Sequence, residues 1–507
     1  MTIKTIAIIG GGTSGWLAAN HLGRALKSNP DICITLIESP NIPIIGVGEG
    51  TVPSIRRSLQ SFGISETEFI RCCDVTFKQS IKFVNWLDKT RHGAGNFYHH
   101  LFDMPQSAVG DLNEWWLKAG EGHFADFGSV QHSVCEAKKA PKLITTPEYT
   151  GVLGYAYHLN AAKFAKLLAK NAIEKFNVEH RFATVHGVNF AADGSIQSLQ
   201  TEQGNLAFDF YVDCSGFDSI LLAKSLKVPF IDKSKQLFID TALVAQIPTD
   251  KAEEIPPYTL ATAHQAGWIW DIALTERRGT GFVYSSAHME QGTAEDKFDS
   301  YLGGKLADIP HRKIPMKVGY RQRFWEKNCV ALGLAQGFLE PIEATSILLT
   351  DFSAQFLASR FPVNHEDCDY LAQRFNATVS HAWERVVEFA KLHYCLSDRA
   401  DSAFWCDNRL DETIPEGLKT RLKLWQQFPP IQEDFASKFE VFNMDNYLYV
   451  LYGMRYPTMP AHGRVATANA ATEYLRRMMQ TKQQLLNGLP GHRELIDKIH
   501  VHGLQPI

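Results

Sequence analysis

No apolar stretch in the 507 residues reaches the ~18 positions that a membrane helix requires, so no membrane partner is expected. Neither sign of charge dominates: 51 Lys and Arg stand against 55 Asp and Glu, a net −4. Without a basic excess there is no electrostatic footprint for a phosphate backbone, which argues against nucleic acid as a partner. No C-x-x-C pair occurs among nine scattered cysteines, an odd number with Cys72 and Cys73 adjacent. That usage fits free thiols in a reducing cytoplasm and not a disulfide framework. Internal repeats and low-complexity tracts are missing, and at 45% hydrophobic and 21% charged residues the composition is that of a folded chain. Met1-Thr2-Ile3-Lys4 leads into a buried strand pattern, with no signal-peptide architecture.

Glycine and aromatic residues carry the information. Residues 3–9 form a β-branched apolar run, followed by Gly10-Gly11-Gly12-Thr13-Ser14-Gly15 and a helical rhythm through Trp16, Leu17, Ala18, Ala19 and Leu22. A second strand over 33–37 ends at Glu38. This β-turn-α-β opening with Gly10-x-Gly12-x-x-Gly15 is a dinucleotide-binding pattern. Its glycines let backbone N–H groups approach a pyrophosphate, the helix start near Thr13 and Ser14 is electropositive, and Glu38 can accept the ribose hydroxyls. Only one such fingerprint is present, and the late strand ending Asp213-Cys214-Ser215-Gly216 favours FAD over a built-in nicotinamide site.

Further along, Gly46-Val47-Gly48-Glu49-Gly50-Thr51-Val52-Pro53 alternates glycines through a polar loop that can lie flat against a planar ligand. A strand is expected near 155–159 and a helix over 161–173. Residues 91–150 lack clear periodicity and read as a long excursion. Trp268 and Trp270 share one face of a strand, lining either core or a ligand cavity. That strand, 268–274, is expected to turn through Thr275–Gly281 into 282–285. Gly337–Ile347 sets Glu340, Pro341 and Glu343 before a helix start at Thr345 and Ser346, whose free N–H groups suit a small anion or a flavin edge. Helical patterns follow over 345–360, 366–394 and 466–487. The lysines of Phe77-Lys78-Gln79-Ser80-Ile81-Lys82 read, by themselves, as an ordinary solvated face.

Taken in order, these pieces resemble the flavin-dependent tryptophan halogenase family from residue 5 to about 410. The Lys78 block and the Trp268-x-Trp270 motif are its specific parts, and Leu392-His393-Tyr394-Cys395-Leu396 with Asp398-Arg399 is similar to the family as well. The resemblance implies an α/β fold: an FAD-binding Rossmann-like, flavin monooxygenase-like core over 1–345 with strand-rich substrate segments at about 91–150 and 236–330. A helical region over 346–507 closes the substrate site. It also implies FAD reduced by a separate flavin reductase, O₂, and a halide at Thr345 and Ser346. Hypohalous acid then travels inside the protein to Lys78, and Glu343 assists polarisation or removes the arenium proton. Gly10, Gly12, Thr13, Ser14, Gly15, Glu38, Gly48, Glu49, Val185, Leu334 and Ile347 would hold the flavin. Trp268 and Trp270 would be the barrier between flavin and substrate.

The chain departs from that family at Ala273, where Pro is usual, and at Ala344 and Ser346, where Ser and Gly are usual. Phe442-Asn443-Met444-Asp445-Asn446-Tyr447-Leu448-Tyr449 lacks the family's paired-tyrosine substrate motif. A small aromatic substrate is expected: an indole, a phenol or a larger ring fits as well as free tryptophan. The competing readings are a related monooxygenase that hydroxylates or epoxidises, which Ala273 would favour by loosening the tryptophan barrier, and a non-catalytic flavoprotein. Oligomeric state stays open, a homodimer included.

Overall fold

The computed structural model describes residues 2–42, 48–106, 112–119, 122–459 and 466–506; the side chains of Gly48, Glu49 and Ala119 also lie outside that description. The run Ile6–Ile9 is apolar at every position because its strand is covered on both faces. It sits inside a six-stranded sheet of order Trp325–Glu326, Cys329–Ala331, Phe210–Asp213, Thr5–Ile9, Cys33–Glu38, Glu179–Phe182. All neighbours pair in parallel except the Trp325–Glu326 edge. Helix Thr13–Leu26 packs against helices Ala161–Phe176 and Thr345–Ser359, so the start of the last third of the chain returns to the first β-turn-α unit. The expected helix over 161–173 is present and runs on to Phe176, where Asn177 closes it in the left-handed conformation.

A seven-stranded sheet stands beside this core: His311–Pro315, Thr241–Pro248, Arg277–Tyr284, Gly267–Ala273, Tyr258–His264, Ser80–Val84, Phe97–Leu101. A small sheet of Gly48–Gly50, Ala156–Asn160 and Thr76–Lys78 adjoins it. Lys78 ends one sheet and Ser80 begins the next, so the lysine sits at the corner between them. The hairpin differs from the sequence expectation. Its second strand begins at Arg277, not near Phe282, and Trp270 pairs directly with Gly281. Gly279 and Gly281 look like turn residues, yet Gly281 is glycine to make room: a Cβ there would stand 2.1 Å from the Trp270 ring. Among its described residues, segment 91–150 contributes one strand, Phe97–Leu101, and helices Leu112–Ala119, Phe124–Gly128 and Gln131–Glu136, so these are less strand-rich than expected.

Helices dominate from Thr345 onward, including Cys368–Cys395, Met444–Gly453 and Ala468–Gly488. Met444–Gly453 packs on strand Phe97–Leu101. Among the described residues no helix is long and apolar enough to cross a membrane. All nine cysteines are free thiols.

Candidate active site

The glycine turn opens a cavity of about 420 Å³ lined by Gly10, Gly11, Gly12, Thr13, Ser14 and Glu38 at one end, and by Leu334, Ser346, Ile347 and Thr350 at the other. Gly10 has φ +118, a region closed to other residues. A Cβ at Gly11 would meet the Glu38 carboxylate at 2.1 Å, whereas one at Gly12 would meet nothing within 4 Å, so the backbone there is bare to the cavity. Two helix starts face this space, at Thr13 and at Thr345, and neither carries a side-chain cap. Their free N–H groups and positive ends suit a pyrophosphate and an electron-rich ring edge. His180 Nε2 holds Glu38 Oε2 at 2.9 Å. This donor set fits FAD: a bare glycine turn, a fixed ribose acceptor, and apolar Val185, Leu334 and Ile347 beyond.

Phe217, Leu334, Ser346 and Ile347 line a second cavity as well, of about 160 Å³, which therefore abuts the first. Its walls are apolar: Ile81, Val244, Trp270, Ile272, Val283, Phe338 and Ile342 among them. Its polar end is Lys78 with Thr259 and Gly50. Lys78 is buried and makes no hydrogen bond to a described residue; its Nζ lies 5.3 Å from the Phe102 ring centre. Burial pulls its ammonium down to about 8, opposed by the charge of Glu343.

Glu343 is buried between two imidazoles. His100 Nδ1 lies 2.9 Å and His393 Nε2 3.0 Å from Oε1. Burial works against its charge, but the His100 charge and the hydrogen bonds from both rings outweigh it and hold the carboxyl down at about 2. His100 Nε2 faces Asn446 Oδ1 at 3.0 Å, so both its nitrogens meet acceptors. Burial pushes its pKa down, and Glu343 with these bonds more than reverses that. A second acid, Glu340, accepts from Trp268 Nε1 at 2.7 Å and from the Tyr394 hydroxyl, while its Oε1 is buried without a partner among the described residues. Burial lifts its pKa to about 7, against the pull of those two hydrogen bonds.

The tryptophan halogenase family model matches residues 5–470. The chain belongs to the tryptophan halogenase family. It is 32% identical to 7-chloro-L-tryptophan 6-halogenase KtzR of Kutzneria sp. (strain 744), over 97% of this chain and 99% of that one. Its fold is similar to that of a tryptophan halogenase from Shewanella frigidimarina NCIMB 400, with TM-score 0.95 and 36% identity over 100% of this chain and 99% of that chain. BrvH, a flavin-dependent halogenase from Brevundimonas sp. BAL3, matches with TM-score 0.88 and 30% identity over 98% of this chain and 99% of that chain. The protein is thus a flavin-dependent halogenase, an enzyme of FAD and halide.

The halogenase fold gathers most of the residues singled out in the sequence, in different roles. Gly10, Gly12, Thr13, Ser14, Glu38, Val185, Leu334, Ser346 and Ile347 line the flavin cavity. Gly15 does not; its Cβ would strike the Gly10 carbonyl at 1.9 Å, so it serves close packing of helix on turn. The 43–47 part of the second glycine loop lies outside the described residues, as do the Gly48 and Glu49 side chains, while the backbone of Gly48–Gly50 pairs with Ala156–Asn160. Thr345 is buried behind the flavin cavity, in a void of about 10 Å³ that it shares with Ser346.

Trp270 lines the second cavity, but Trp268 does not; it stands behind, tied to Glu340. Ala273 faces the opposite side of the sheet, on an outer cleft, and its carbonyl accepts from Thr76 Oγ1 at 2.8 Å. The departure from Pro therefore removes nothing from the wall, and the sequence argument for a hydroxylating enzyme loses its footing. Asp213 is a structural hub, accepting from Ser215, Ser219, Leu221 and Leu222. Sequence reasoning missed His100, Phe102 and Thr259, gave His393 no role of its own and took Gly281 for the end of a turn; these residues come together only through sheet and helix packing.

Proposed function

We propose that this halogenase halogenates an indole or another electron-rich aromatic ring, with Lys78 and Glu343 as its catalytic residues. The observation that carries the reading is the apolar cavity that starts among flavin-lining residues and ends on a buried lysine. Bound reduced FAD, supplied by a separate reductase, would with O₂ and halide provide hypohalous acid at the Ser346 end. The halide's site is the uncapped start of helix Thr345–Ser359, at Thr345 and Ser346. Ile81, Trp270, Ile272 and Val283 then exclude water and nucleophiles from the route, so the oxidant survives to Lys78.

Lys78 holds the oxidant at one place and so selects the ring carbon by orientation. Glu343, whose negative charge acts on Lys78, takes the proton released as the ring regains aromaticity. A carboxylate with a pKa near 2 is a weak base, yet an arenium ion is so strong an acid that a weak base suffices. His100 and His393 orient the carboxylate. Asn446, on the helix that covers His100, stands in the stretch without the paired tyrosines, and Tyr447 and Tyr449 are buried in packing. That favours a substrate other than free tryptophan, although relatives such as KtzR are named for tryptophan substrates.

The test is incubation of the protein with reduced FAD, O₂ and bromide against a panel of tryptophan, indoles and phenols, read by mass spectrometry. A brominated ring supports the reading; oxygenated product without bromine overturns it.

A further inference from the structure

The end of the lysine cavity has one feature that hypohalous acid delivery does not by itself require. Gly50, Lys78 and Thr259 together line this end; a Cβ on Gly50 would press on Lys78 Nζ at 3.2 Å and lie 3.5 Å from Thr259 Oγ1, so glycine there leaves both polar groups bare to the cavity. Thr259 Oγ1 lies 2.8 Å from His158 Nε2. His158 is wholly buried, and its Nδ1 has no partner among the described residues. The histidine is neutral, its pKa driven well below the usual value by burial and by the charge of Lys78. A neutral ring carries one proton. On Nδ1 it would be a buried donor with nothing to accept it; on Nε2 it is donated to Thr259 and leaves only a bare lone pair. The second tautomer is the cheaper one. Thr259 Oγ1 then accepts from His158, and its own proton is free to point into the cavity.

We propose that Lys78 and Thr259, left bare to the cavity by Gly50, form a seat for hypohalous acid, in which the Lys78 ammonium and the Thr259 hydroxyl both donate to its oxygen and His158 fixes the hydroxyl. This rests on the assignment of Lys78 under the proposed function. The ring π electrons attack the halogen, the O–X bond breaks with its electron pair going to oxygen, and the ammonium proton passes to that oxygen. Water leaves, and the arenium proton lost from the ring balances the one taken from Lys78. Thr259 lowers the barrier by stabilising charge on the departing oxygen. His158 touches neither partner of the reaction and is a positioning residue.

The experiment measures halogenated product per FADH₂ reoxidised, with reduced flavin and bromide supplied to the whole protein. Thr259→Val keeps shape and removes the hydroxyl; the ratio is expected to fall about tenfold, the scale of one hydrogen bond to a developing charge. Thr259→Ser restores it. Gly50→Ala crowds Lys78 Nζ and Thr259 Oγ1 and lowers the ratio as well. His158→Phe matches Thr259→Val, and His158→Gln, which keeps a donor, recovers part of the ratio. Near-UV circular dichroism and FAD binding confirm folding; should Thr259→Val fail them, Thr259→Ala replaces it with the same expectation. Full product ratio in the hydroxyl-free variant, with Lys78→Ala inactive, overturns the seat alone. Product from Lys78→Ala overturns the underlying assignment and the seat with it.

Discussion

Gly281→Ala puts the cavity wall under direct load. Gly281 pairs with Trp270 across the hairpin, so their side chains project from the same face. The new Cβ would stand 2.1, 2.2 and 2.7 Å from three atoms of the Trp270 benzo ring. Carbon atoms rest at about 3.5–4.0 Å, so the ring edge must retreat by ~1.5 Å. The strand lies beneath it, and the retreat is into the cavity of about 160 Å³. It removes roughly one water's share of that space, ~30 Å³, at an overpacking cost of about 1–3 kcal/mol. Flavin contacts are untouched, because neither residue lines that cavity. The assay follows FADH₂ reoxidation by absorbance, product by mass spectrometry and unfolding by heat. Product per flavin should fall about threefold or more while reoxidation stays within about a factor of two, a loss of ~0.7 kcal/mol or more in delivery. An unchanged product ratio together with an unchanged melting temperature would refute both the contact and the role of the wall.

Other outcomes follow from the same geometry. Glu340 is raised from 4.5 to about 7, so the folded state keeps a proton that the unfolded chain has lost; stability should fall by about 3 kcal/mol between those pH values and level off above, and Glu340→Gln should flatten that slope in denaturant titrations. Lys78 is drawn down to about 8, so halogenation that needs its ammonium should decline as pH rises through 8 in a profile of product per flavin, whereas a rise there would mean that the free amine acts. A halide at the helix start, where the proposed function puts it, would gain hydrogen bonds worth only about 0.5–1.5 kcal/mol each, and bromide sheds water more easily than chloride; bromination should exceed chlorination at equal halide, and Ser346→Gly should shift a competition assay toward chloride. Ala344 sits at φ 55, a strained setting for a residue with a Cβ, so Ala344→Gly should raise thermal stability by about 0.5–1 kcal/mol.

The sequence made the flavin half legible because its signals are local. Gly10 to Gly15 and Glu38 lie within one β-turn-α-β unit, where spacing alone places all of them but Gly15, which packs helix on turn, around the cavity. Lys78 was different: its two-lysine block looked like a solvated face, and only the family resemblance singled it out. The residues around it come from distant strands and helices. Glu343 meets His100 and His393 across 243 and 50 positions, and Thr259 meets His158 across 101. No periodicity encodes such meetings. Gly281 misled for a physical reason, since glycine serves both turns and close ring packing, and only the paired strand distinguishes them. Trp268 and Trp270 do share a face, as period two predicts; Glu340 then draws the first away from the cavity and leaves the second to line it.

Under the proposed function, oxidant made at the flavin crosses the protein and reacts only from Lys78. The decisive reaction is that of Lys78→Ala with reduced FAD, O₂, bromide and an accepted aromatic, measuring flavin reoxidation and brominated product together. Reoxidation at the unmodified rate with product below a few per cent is the predicted result. Product retained at more than that level, or reoxidation lost along with it, would mean that the oxidant does not react from Lys78.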